Sequence, residues 1–277
     1  MFDLKSAMRS VLRQQQSLAE AVRRVSINLG NVIDNNVYET WLSKCGHIQS
    51  LEKIVPLSDI RDVAYQNLLN LKRSFDCYPN EPIGNTVFFG GTNISASIAT
   101  TLAMNAYLSA CWALYDCLSN IIGRVVGDES IRNNPQGRSN PKLMETFLAV
   151  KQGIDVLGSR EILLKSYGQR IGFSYLIRNC YVHEGGMINS FPILQGETME
   201  TAFVITKEVA EKINDEISSR YKIPNTTIVK NGDVIGQLYE CHSQLDQMFV
   251  SLLRFMMGTL VIEVEAFAAQ DGFKALL

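Results

Sequence analysis

Within the stretch YLIRNCYVHEGG (175–186), Arg178, Asn179 and His183 interrupt a run that is otherwise largely apolar. His183 is one of only three histidines among the 277 residues. At 100° per residue the three polar side chains span an arc of about 140° on one helix, with Asn179 and His183 one turn apart. Their types suit phosphoryl chemistry. A guanidinium keeps its charge at any physiological pH and grips phosphate oxygens as a planar fork, whereas an imidazole exchanges its proton near neutrality. Burying an unpaired guanidinium is costly, so Arg178 must find an anion, open on a cleft or face a second subunit. The plainer role for such residues is to cap carbonyls at a helix end and answer its dipole.

The helix that would carry them is apolar nearly all round. Ile171, Tyr175 and Val182 form one stripe, and Phe173, Leu176, Ile177 and Cys180 fill most of the rest. Such a helix is buried in a core or in a subunit interface. Glu184-Gly185-Gly186 predicts a stop just beyond His183, which puts the imidazole in the last turn, where the partial negative charge favours its protonated form.

Periodicity elsewhere predicts a mainly α protein. Leu4, Met8, Leu12, Leu18, Val22 and Val25 mark a helix over 4–28; a second covers Val37–Val55 and is stopped by Pro56; a third runs from Ser58 to Phe75. A long helix is expected over 95–126, then the polar loop 127–141 and helices over 142–154, 159–184, 206–221 and 237–269. FPIL (191–194) and AFVI (202–205) predict a short β-hairpin, and Asn231-Gly232 between β-branched runs predicts the turn of another. The Pro-, Gly- and Asn-rich segment 76–93 is the best boundary, dividing an N-terminal helical region (1–85) from a helical domain with a C-terminal extension (86–277), the whole being short enough for one compact domain. GGTNIS (90–95) lacks the lysine and hydroxyl of a phosphate loop, so Thr92, Asn93 or Ser95 is expected as a helix N-cap instead.

Composition narrows the class. A hydrophobic share of 46% and a charged share of 19% describe a globular chain, and a net charge of −2 announces no polyanion partner. The charge is uneven: residues 124–183 hold nine basic and five acidic side chains, and residues 184–277 hold seven and thirteen. The basic stretch includes Arg178 and His183, which favours an anionic ligand there. The N-terminus has no apolar run of the secretory kind, and the apolar segment from Met248 is broken by Arg254, Glu263 and Glu265, so a buried helix is expected rather than a membrane span. Six cysteines without C-x-x-C spacing predict core thiols in a reducing cytoplasm. Cys45 and His47, and Cys241 and His242, form two isolated Cys/His neighbourhoods, too few for a zinc site, and no Cys–His arrangement for acyl transfer is legible. No metal or cofactor is expected. Along the helix 102–126, Asn105, Ser109, Asp116, Asn120 and Arg124 recur at helical spacing; Asp116 and Asn120 are candidates to hold a phosphate or His183, and a solvated stripe is the competing reading. Tyr181 is a further candidate for substrate contact, whereas Tyr175 is expected in the core.

The segment IRNCYVHEGG, following the long helix YLSACWALYDCLSNIIGRVV, resembles the HEPN domain. Ribonuclease members of that family carry R-x(4–6)-H, commonly with a polar residue after the arginine, and Arg178, Asn179 and His183 match those positions. The likeness covers about residues 95–190. It implies an antiparallel helical bundle, here with added N-terminal helices and small β-hairpin insertions, that pairs as a homodimer. It further implies metal-independent cleavage of RNA in a cleft shared by two protomers, in a cytoplasmic toxin or phage-defence effector with an antitoxin or regulatory partner. The alternative is a non-catalytic HEPN-like module that binds nucleotide, RNA or a protein partner.

Overall fold

The computed structural model describes residues 3–29, 35–76, 86–126, 169–183, 193–195, 198–200, 203–221, 225 and 227–270. Within them the protein is mainly α with a few short strands. The expected helices at 142–154 and 159–168, the loop 127–141, Phe191, Pro192 and the Glu184-Gly185-Gly186 stop lie outside the described residues.

Helix α1 (Leu4–Leu29) begins where Asp3 accepts a hydrogen bond from the Ser6 backbone at 2.9 Å, the N-capping arrangement. That bond holds the Asp3 carboxyl below its ordinary range. Helix α2 (Asn35–Gln49) ends earlier than its periodicity implies, tightening into a 3-10 turn over Ser50–Lys53 before α3 (Ile54–Asp76) begins. Pro56 therefore does not stop α2; it sits in the first turn of α3. A proline is tolerated there because the first N–H groups of a helix have no intrahelical partner to lose.

Strands β1 (Thr86–Phe89) and β2 (Thr92–Ser95) form an antiparallel hairpin in which Phe89 faces Thr92. Gly90 and Gly91, both at positive φ (60° and 86°), make its two-residue turn, the type I′ geometry that matches strand twist. Ser95 immediately precedes α4 (Ala96–Val126). Helix α5 (Gln169–His183) ends at the histidine, as the double glycine beyond it implied. Strand β3 (Ile193–Gln195) pairs with β4 (Thr198–Glu200), so the expected partnership of 191–194 with 202–205 does not form. Strand β5 (Val204–Ile205) pairs instead with β6 (Gly232–Asp233), on the far side of α6 (Lys207–Tyr221). The Asn231-Gly232 signal thus marks a strand start and not the turn of a local hairpin. The side chain that redirects it is Asn214 on α6, which accepts from the Val229 N–H at 3.0 Å and donates to the Val229 carbonyl at 2.8 Å. With residue 229 tied to α6, Gly232 meets Ile205. Asp233 then caps α7 (Val234–Gln270) through the Ile235 N–H and pairs with Lys72 at 2.7 Å.

Two compact units alternate along the chain, with boundaries inside α3, α4 and α7. The unit made of 57–113 and 161–245 carries α5 and both shorter hairpin partners of α6, with Tyr107, Leu108, Phe173, Ile177, Leu238 and Leu245 in its core. Tyr65 stacks on Tyr239 while Lys72 reaches Asp233, so α3 runs antiparallel to α7. The unit made of 2–56, 114–160 and 246–277 packs α1 against α2 and the 3-10 turn, burying Met8, Val11, Val22, Trp41 and Leu51. Tyr115 stacks on Phe249 and donates to the buried Asp246 at 3.2 Å. Helix α7 is long and apolar enough to cross a membrane by length and composition. In this fold it contributes Leu238, His242, Leu245, Asp246 and Phe249 to buried positions.

The Asn214 clamp yields a measurable expectation. Replacing it by alanine strands both backbone groups of Val229, costing about 1–3 kcal/mol of unfolding free energy in urea. Asn214→Asp, which keeps the acceptor and loses the donor, should fall between wild type and alanine.

Candidate functional site

Helix α5 carries Arg178 and Asn179 half-buried, one turn or slightly more before its last residue, His183. The side chains of Tyr181 and His183 lie outside the described residues, so the helix end fixes His183 by its backbone. The guanidinium of Arg178 lies over the Trp112 indole, 5.9 Å from the ring centroid, and Tyr175 meets the same indole edge-on at 5.9 Å and 67°. Among the described residues no carboxylate reaches Arg178 within ion-pair distance. Its Nε is buried without a hydrogen-bond partner, and so is Nε1 of Trp112. Each stranded donor carries a desolvation cost of about 1–3 kcal/mol. Stacking on an aromatic face offsets part of the guanidinium's share.

The other candidates on α4 fall in the second unit. Asp116 is buried and Asn120 is half-buried one turn further on. The polar stripe of α4 is therefore no uniform solvated face: Ser109 and Arg124 are exposed, Asn105 and Asn120 are half-buried, and Asp116 is sealed. Among the described residues no cluster of three or more His, Cys, Asp or Glu side chains is grouped to hold a metal ion.

The feature that the sequence did not disclose is the setting of His242. Only 1% exposed, it meets Tyr107 Oη at 2.6 Å and Cys111 Sγ at 3.4 Å through Nδ1, and Ser174 Oγ at 2.8 Å through Nε2. A Cys–His contact thus does exist, formed across 131 residues of chain. Tyr107 and Cys111 are four apart on α4 and share a face, but nothing local links that face to residue 242 or to Ser174 on α5. Burial, reinforced by the buried Arg61 on α3, pushes the imidazole down to about 3, so it is neutral at physiological pH. A neutral imidazole has one donor and one acceptor nitrogen, and the two hydroxyls take the complementary roles. Tyr107 and Cys241 are likewise raised by burial and keep their protons. Ser174 is fully buried, so this serine–histidine pair has no approach for a substrate and acts by tying α4, α5 and α7 together.

The sign of the pH dependence follows from the depressed imidazole. Below about pH 6.5 the unfolded chain binds a proton at residue 242 that the folded chain refuses until about pH 3. Stability contributed by this group is therefore complete above pH 6.5 and declines by up to about 1.4 kcal/mol per pH unit as the pH falls through that window. Urea unfolding from pH 7 to pH 4 should show a shallower decline in His242→Gln than in wild type; parallel curves would contradict the neutral, sealed imidazole.

The chain matches no protein-family model, no curated protein and no solved structure, so the chemistry of α5 rests on its own residues.

Proposed function

We propose that the protein is a metal-independent endoribonuclease in which Arg178 and His183 are central and Asn179 assists, the working site being shared by two copies of the chain. The observation that carries this reading is Arg178: a half-buried guanidinium on an apolar helix, stacked on Trp112 and met by no carboxylate among the described residues. Structural arginines buried to that degree are neutralised by an acid, as buried charges generally must be. An arginine held without one is suited to receive an anion.

Chemically, RNA supplies its own nucleophile. The 2′-hydroxyl attacks the adjacent phosphorus, the bond to the 5′-oxygen breaks, and a 2′,3′-cyclic phosphate remains. One imidazole takes the 2′-hydroxyl proton and a second delivers a proton to the departing oxygen. A single His183 cannot stand on both sides of an in-line displacement, which is why the proposal requires a twofold pairing of α5 helices. Arg178 offsets the charge that grows on the non-bridging oxygens, and Asn179 orients the phosphate or the imidazole. The apolar character of the α5 surface, with Ile171, Phe173 and Ile177 buried, keeps the helix rigid beneath the polar end.

Purified protein incubated with RNA in excess EDTA should release fragments ending in 2′,3′-cyclic phosphate. Removing Arg178 or His183 as alanine should lower the rate by about 10²–10⁴-fold, with thermal melting and oligomeric state nearly unchanged. Intact RNA with wild-type protein, or full activity in His183→Ala, would reject the nuclease. A growth-arresting role predicts that expressing wild type slows cells more than expressing His183→Ala at equal protein level.

A further inference from the structure

Two nitrogen donors of one unit are buried side by side with nothing to donate to: Nε of Arg178 and Nε1 of Trp112. Trp112 is only 3% exposed, yet its polar atom is unsatisfied, which is uncommon for a buried indole. The guanidinium and the indole are in van der Waals range of one another through the stacked contact, 5.9 Å from guanidinium carbon to ring centroid. Arg178 as a whole remains half-buried, leaving an approach to the guanidinium from solvent.

We infer that Trp112 is a second substrate-binding residue: its indole N–H and the Nε–H of Arg178 form a paired seat for the non-bridging oxygens of one phosphodiester. This rests on the nuclease reading for the identity of the anion. The charge match points the same way independently. A phosphodiester offers two acceptor oxygens and a negative charge to two N–H donors, one of them cationic, whereas a water would offer protons where none are wanted. Tyr175, edge-on to the same indole, restricts the plane of Trp112 and so the direction in which its N–H points. In this arrangement Trp112 serves twice, as the aromatic face that holds Arg178 and as a donor in its own right.

The chain has two tryptophans, Trp41 and Trp112, so protein labelled with 5-fluorotryptophan gives two fluorine resonances. Trp112→Phe assigns them, and Trp41→Phe does so if the first variant does not fold. Titration with a 2′-O-methyl oligoribonucleotide, which lacks the attacking hydroxyl and is not cut, should shift the Trp112 resonance saturably, and Arg178→Gln should abolish that shift. Trp112→Phe keeps a ring beneath the guanidinium and removes only the N–H, so with cleavable RNA its KM should rise about tenfold with a smaller change in kcat. A Trp112 resonance that stays still while anisotropy reports oligonucleotide binding, or an unchanged KM in Trp112→Phe, overturns the seat. RNA that shifts Trp112 but is never cut rejects the nuclease and keeps the seat. RNA that is cut without either Trp112 effect does the reverse, and failure of RNA to bind overturns both.

Discussion

A buried imidazole must use both of its nitrogens or pay for the one it leaves idle, and in the unit containing α5 that requirement organises three helices at once. His242 on α7 meets Tyr107 of α4 on one side and Ser174 of α5 on the other, all three nearly inaccessible. Hydrophobic packing alone would let these helices slide by a fraction of a turn with little change in buried area, because apolar contact is non-directional. Two hydrogen bonds of 2.6 Å and 2.8 Å on opposite edges of one ring remove that freedom. Arg61, sealed nearby on α3, keeps the ring neutral and so keeps its donor and acceptor roles complementary to the two hydroxyls.

The consequence reaches the end of α5. Ser174 and Arg178 are one turn apart, so locking the serine to His242 also sets the height and rotation at which Arg178 leaves the helix. On α4, Cys111 touches His242 and Trp112 is the next residue, about 100° further round. The network therefore brings the arginine and the indole together without making direct contact with either. Two arginines of this unit illustrate different solutions to burial. Arg61 is enclosed at 1% exposure with Asp62 Oδ1 3.6 Å from its Nε, whereas Arg178 is half-buried and rests on an aromatic face. The first arrangement closes a core; the second leaves a cation available to something outside the chain.

Helical segments were legible in the sequence because their evidence is local. Leu4, Met8 and Val22 repeat at helical spacing and all turn up buried on α1. The glycines after His183 announced the end of α5 because a helix stop depends on the few residues around it. Local signals misled where a distant partner outbid the near one. Pro56 reads as a terminator but is harmless in the first turn of α3. Asn231-Gly232 reads as a hairpin turn, but Asn214 holds Val229 and delivers Gly232 to Ile205 instead. The two glycines at 90 and 91 carried the opposite lesson: a motif weighed as a phosphate loop or a helix cap is a tight turn, decided by positive φ at both positions.

For the candidate site the division is similar. By itself the sequence determined that Arg178, Asn179 and His183 share one end of an apolar helix, since residue type and a 3.6-residue period suffice for that. Only the tertiary structure decided what stands opposite them. That Trp112 lies under Arg178, that Asp116 is buried while Ser109 is exposed, and that His242 joins Tyr107 to Ser174 all depend on side chains brought together across dozens to more than a hundred residues. No short-range pattern encodes such meetings, because they are settled by how whole helical faces pack and by which buried polar groups that packing leaves in need of a partner.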